Sequence, residues 1–181
     1  MRAVIIGCGR VGAALADSLD RAGHRVLIID TVTAAFDRLP PTFRGEAVRG
    51  DGTDEDTLLR LGATGADLFV ALTEGDNRNI MGAQIARETL GIPLVLAKVN
   101  DPVRARAYAE LGIATINRTM LMADAILEFA GFAGSGESAV HVGRGHEHPI
   151  AAPPATATMS PAAAAPPLGG PAGQRRMTGE G

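Results

Sequence analysis

The stretch Ala3-Val4-Ile5-Ile6-Gly7-Cys8-Gly9-Arg10-Val11-Gly12 sets the topology of everything after it. Four apolar residues predict a short buried strand that runs directly into Gly-x-Gly-x-x-Gly. Gly7 suits a tight turn, Gly9 leaves the backbone open to a pyrophosphate, and Gly12 lets the next helix pack close to the strand. That helix is expected over Arg10–Ala22, with Val11, Ala14, Leu15, Ser18 and Leu19 as its apolar stripe and Gly23 as its stop. Its N-terminus offers N–H donors and partial positive charge to an anion, which places Gly7, Cys8, Gly9, Arg10, Val11 and Gly12 in a candidate phosphate site. A plain glycine-rich turn is the alternative reading of these six residues.

Outward from this unit, strands and helices alternate. Strands are predicted at Val26–Ile29, Glu46–Arg49, Leu68–Leu72, Leu94–Val99 and Ala114–Ile116. A weak helix is expected over Val32–Leu39, ended by Pro40-Pro41. Further helices are expected over Asp54–Leu61, Asn77–Leu90, Val103–Leu111 and Thr119–Phe132, the first opened by a capping box at Thr53 to Asp56. Continuous apolar strands alternating with helices imply a parallel sheet covered on both faces. The fold class is therefore α/β, a Rossmann-type doubly wound parallel sheet of six strands in the order 3-2-1-4-5-6. This nucleotide-binding domain spans 1–132. Residues 133–181 hold seven of the eleven prolines in Ala/Pro/Gly-rich sequence, which predicts a disordered tail.

Composition narrows the function. Among 181 residues, 46% are hydrophobic, enough for a core, while the net charge of −3 argues against binding nucleic acid by bulk electrostatics. No tryptophan is present and aromatics make up 3%, so base stacking is not expected either. One cysteine excludes an intrachain disulfide and fits a reducing compartment. The uncharged run from Pro149 to Gln174 is punctuated by prolines and cannot span a membrane as a helix, and the apolar start is too short for export. The chain is expected in the cytoplasm, without direct membrane insertion.

Further candidates lie at the carboxyl ends of the predicted strands, where open α/β sheets bind ligands. Asp30 ends the second strand, and a carboxylate there accepts from ribose hydroxyls and repels a 2′-phosphate, disfavouring NADP. It does not separate NAD from ATP, ADP or AMP; a helix N-cap is its other reading. Asp51-Gly52 follows the third strand and is placed beside an adenine or in a simple turn. Thr73-Glu74 follows the fourth and faces the same crevice or caps the next helix. Lys98, the one lysine against 16 arginines, lies near the end of the fifth strand and needs an anion. That anion is a phosphate or a neighbouring carboxylate. Cys8 at a helix N-terminus is either a thiol of lowered pKa, suited to redox sensing, or simply a small residue. His141, His146 and His148 have too few companions for a metal site, and Arg175-Arg176 is too short for a lipid or nucleic-acid patch.

Taken in order and spacing, certain segments resemble the TrkA-N family, also called the RCK N-terminal domain, of regulators of potassium channels and transporters. The segments are the glycine motif, Val26 to Asp30, Gly50-Asp51-Gly52-Thr53 with Leu58 and Gly62, and Ala66-Asp67. They continue through Ala71 to Asp76 with Asn79-Ile80, Ala97-Lys98-Val99-Asn100, and Glu110-Leu111-Gly112. The resemblance implies that Arg10 contacts a nucleotide phosphate, including the terminal phosphate of ATP. It implies that Glu110 approaches a neighbouring subunit's nucleotide or cation, and that the last helix packs on a partner subunit. Many members continue into a second, RCK C-terminal lobe. Here an Ala/Pro tail follows, so ligands of that lobe are not expected and a complete gating ring would need a separate chain.

Two function classes follow. One is a cytosolic nucleotide-sensing regulatory subunit that binds NAD(H) or ATP/ADP and gates a membrane-embedded potassium transporter or channel subunit, as a homodimer or higher ring. The other is an NAD-dependent oxidoreductase, for which no substrate domain and no general acid–base pair is visible. A third reading is a truncated or decayed family member that binds nucleotide without controlling transport.

Overall fold

The computed structural model describes residues 1–134, 136 and 139–142. The strands are β1 (Arg2–Ile6), β2 (Arg25–Asp30), β3 (Glu46–Arg49), β4 (Leu68–Ala71), β5 (Leu94–Lys98), β6 (Ala114–Ile116) and β7 (Val140–His141). The helices are α1 (Arg10–Arg21), α2 (Glu55–Arg60), α3 (Asp76–Gln84), α4 (Pro102–Glu110) and α5 (Arg118–Phe129). One sheet holds all seven strands in the order β3-β2-β1-β4-β5-β6-β7. β1 pairs in parallel with β2 on one side (Ile5 opposite Ile28) and with β4 on the other (Ala3 opposite Leu68). The first six strands follow the expected order, and the chain reverses direction across the sheet at β1. Between the carboxyl ends of β1 and β4 that reversal opens a crevice.

The period of two in the strands divides the core. Val4, Ile6, Leu27, Ile29, Phe69 and Ala71 pack on one face with Leu58 of α2, Ile80 of α3 and Ala105 of α4. Ile5, Val26 and Ile28 pack on the other with Cys8 and with Ala13 and Ala16 of α1. Around β1, β2 and β4 both faces are apolar and buried, which is why these strands read as unbroken hydrophobic runs.

Four details differ from the sequence reading. The buried stripe of α1 is Gly12, Ala13, Ala16 and Asp20, while Val11 is 56% exposed and Ala14 and Ser18 face outward. Small residues win that face because the helix lies close to the sheet. Asp20 enters it because its carboxylate accepts from the Arg44 backbone N–H at 3.0 Å. The segment after β2 is a 3₁₀ helix over Thr33–Arg38. α3 continues into a π-helical turn over Ile85–Thr89. Finally, β7 adds a strand beyond residue 132, antiparallel to β6, with Thr115 opposite His141. The expected tail character of 143–181, with His146, His148 and Arg175-Arg176, lies outside the described residues. Among the described residues no helix is long and apolar enough to cross a membrane.

Candidate functional site

The site begins with backbone geometry. Gly7 takes φ +98, and a Cβ there would stand 2.8 Å from the Leu72 carbonyl carbon and the Thr73 nitrogen. Gly12 sits over the Gly7 carbonyl oxygen with no room for a Cβ. The turn is thereby pressed against both β4 and α1. Gly9 caps α1 without a side-chain hydrogen bond, and the first turn carries no acid. The leading amides of α1 therefore lack a side-chain acceptor, and the helix dipole adds positive potential there.

Around this turn lies a cleft of about 400 Å³. Gly7, Cys8, Gly9, Asp30, Asp51, Gly52, Thr73 and Glu74 line it, so eight of the expected site residues meet in one place. Asp30 is half-buried. Its Oδ2 accepts from the Cys8 N–H at 2.7 Å and its Oδ1 from the Val32 N–H at 2.9 Å. One oxygen thus orients the glycine turn and the other the exit from β2, and each keeps a further lone pair. Asp51 Oδ1 accepts from the Thr53 hydroxyl at 2.7 Å and the Thr53 N–H at 2.9 Å. The Thr53 hydroxyl and then its amide hold Asp51 below the usual carboxylate range, with a smaller contribution from Arg78. Asp51 is both a turn residue and a cleft wall.

The floor under Thr73 is set by Asn79, which is fully buried. Asn79 Oδ1 accepts from the Thr73 N–H and hydroxyl, both at 2.8 Å. Its Nδ2 donates to the Thr73 carbonyl at 3.1 Å and the Lys98 carbonyl at 2.9 Å. One amide side chain therefore joins the ends of β4 and β5 beside the crevice.

Five expected residues stand elsewhere. Gly12 lies beneath the turn and Val11 on the outer side of α1. Arg10 lines a neighbouring recess with Ala13, Ala14, Asp17, Arg38 and Pro40. Lys98 and Glu110 are not among the cleft's lining residues. Glu110 ends α4, exposed.

The sequence profile of the TrkA-N domain matches residues 3–119. The chain belongs to the TrkA-N domain family. Among relatives, the Trk system potassium uptake protein TrkA of Streptomyces coelicolor is 46% identical over 127 residues, 70% of this chain and 57% of that protein. A TrkA homolog of Methanothermobacter thermautotrophicus is 34% identical over 113 residues, 62% of this chain and 52% of its own length. The chain thus spans about half the length of these curated relatives. The TrkA-N domain of the inner membrane protein ybaL from Escherichia coli superposes with a TM-score of 0.62 at 20% identity, covering 71% of this chain and 95% of that one. The Kef CTD of Shewanella denitrificans in AMP bound form superposes with 0.57 at 21%, covering 72% and 82%. Both share the fold.

In this TrkA-N domain the Cys8 thiol is pushed up, first by burial and then by the Asp30 charge, with Arg38 opposing. Of the two readings of Cys8, the small buried residue is the one that fits: the side chain is fully buried in the α1 face of the core, and burial is the largest influence on the thiol. Lys98 is pulled down by burial and by Arg118, against the carboxylates of Asp76 and Glu74. Those carboxylates are the acids nearest in effect to it.

Sequence reasoning missed Arg38 and Arg78, both lining the cleft of the TrkA-N domain. Arg38 becomes legible once the segment after β2 is a 3₁₀ helix. Three residues per turn place Val32, Ala35 and Arg38 in one row, and all three line the cleft. An α-helical reading separates them around the axis.

Proposed function

We propose that this chain is the nucleotide-sensing part of a regulatory subunit for a potassium channel or transporter, acting on the cytoplasmic side of the membrane. NAD(H) or ATP/ADP would occupy the cleft, with the diphosphate on the first turn of α1 and the adenosine ribose on Asp30. The observation that carries this reading is the meeting, at the β1/β4 crevice, of an uncapped helix N-terminus and a carboxylate with lone pairs to spare. Two ligand states with different affinities for two arrangements of the subunit would shift their balance, and a membrane-embedded partner would read that shift. Glycine-turn residues would supply backbone donors, and Asp51 and Gly52 would border the adenine. Thr73 and Glu74 would border the distal part of the ligand. Arg10, adjoining the cleft, would reach a terminal phosphate. Lys98 and Glu110 would act at its margin or toward a neighbouring copy. The role is regulation rather than hydride transfer.

The exposed apolar row Met122, Ile126, Phe129 and Phe132 on and after α5 is the surface through which two copies would pair. Naming of the relatives after Trk potassium uptake supports the transport assignment.

A thermal-shift panel of NAD, NADH, NADP, ATP, ADP and AMP on the whole chain, followed by calorimetry, tests the ligand. Stabilisation by about 2.7 kcal/mol is expected at a hundredfold excess over Kd. Asp30→Ala is expected to weaken adenosine ligands by about 1.5–3 kcal/mol, the loss of charge-assisted hydrogen bonds. No shift with any nucleotide would overturn the assignment.

A further inference from the structure

We propose that Arg38 is a specificity-determining residue of the cleft. With Arg10 it forms a recognition point for a phosphate monoester beside the glycine turn, separate from the diphosphate position on α1. This rests on the nucleotide reading above and sharpens it. Arg38 lines the main cleft and also the recess that holds Arg10, so its side chain forms part of the wall between the two. Its charge is felt at Cys8, inside the turn. The side chain is anchored by Nη1, which donates to the Ala35 carbonyl at 3.2 Å, leaving the rest of the guanidinium fork for a ligand.

Nothing acidic in the recess is free to neutralise this pair. Asp17 also lines it, but its Oδ2 is held at 2.9 Å by Arg21 in the next turn of α1. Among the described residues neither Arg10 nor Arg38 forms an ion pair. Two unpaired guanidinium groups border one recess, and a dianionic phosphate suits that arrangement because the planar fork binds it bidentately. Asp30 shares the cleft and repels a phosphate placed directly on it, so the recess is where an additional phosphate has a favourable place. Two ligand sources carry that chemistry: the terminal phosphate of a nucleoside triphosphate and the 2′-phosphate of NADP(H).

The test is calorimetric titration of the whole chain and of Arg38→Gln and Arg38→Lys with ATP, ADP, NADP and NAD. Arg38→Gln is expected to reduce the ATP:ADP affinity ratio, the NADP:NAD ratio, or both by about tenfold, with ADP and NAD held within about twofold of the unaltered chain. A fall in the first ratio assigns the terminal phosphate, and a fall in the second the 2′-phosphate. Arg38→Lys keeps the charge and loses the fork, so it is expected to fall between. Should Arg38→Gln not fold, Arg38→Lys carries the test alone through the same ratios. Unchanged ratios with ADP and NAD still bound would overturn the inference and leave the nucleotide reading intact. Equal weakening of all four ligands would also overturn it, placing Arg38 on the part they share. Failure of the unaltered chain to bind any of the four would remove both.

Discussion

Asn79 has no exposed surface, and its side chain makes four hydrogen bonds, all to Thr73 and Lys98. Removing it strands the Thr73 amide and two carbonyls in a largely dry place. Asn79→Ala is expected to cost about 2–4 kcal/mol of stability, since each buried polar group left unpaired costs about 1–3 kcal/mol. A urea midpoint equal to that of the unaltered chain would refute this account. At this scale the glycines were readable in sequence because sterics act on single residues: Gly7 and Gly12 have no space for a side chain. Asp30 was readable because a strand end delivers its side chain to the crevice. Arg38 and Arg78 were not, because a long exposed side chain goes where tertiary packing directs it. The two readings of Cys8 stayed open for a related reason. The helix N-terminus is visible in sequence, whereas the burial of the thiol is not.

Between elements, the strand order was legible from the alternation of apolar runs and helices. The ends and irregular turns were less so. A two-residue strand such as β7 carries no periodicity, and it follows a glycine-rich segment that reads as tail. Yet β7 covers the open edge of β6: the Asn117 N–H donates to the Ala139 carbonyl at 2.8 Å, and Ala139 is buried. A chain ending at residue 134 is therefore expected to be less stable than one ending at 142 by about 1–2 kcal/mol, from the net worth of one or two backbone hydrogen bonds. Melting curves of the two compare them directly, and coincident curves would show that β7 adds nothing. The helix expected after β2 is present, but its 3₁₀ character was not legible because a six-residue segment before Pro40-Pro41 is too short to declare its period.

For the molecule as a whole, α5 is the one helix among the described residues without a buried residue. Phe129 is 94% exposed, with Met122 and Ile126 beside it on the helix. If this face pairs two copies, light scattering is expected to give the mass of a dimer or larger assembly, and Phe129→Asp is expected to shift the mass toward that of one chain. A single-chain mass for the unaltered protein at tens of micromolar would rule the face out as a self-association surface.

The interior place of β1 in the sheet has a consequence for how the protein is made. β1 needs a neighbour on each side, and the later of the two to be made, β4, starts only at Leu68. With translation at about 5–20 residues per second, the edge of Ala3–Ile6 waits roughly 3–13 s for its partner. During that interval a nascent chain presents an apolar, unpaired strand, the kind of edge that recruits strands from other chains. The same residues that make the finished core therefore make the newborn chain dependent on whatever shelters it at the ribosome.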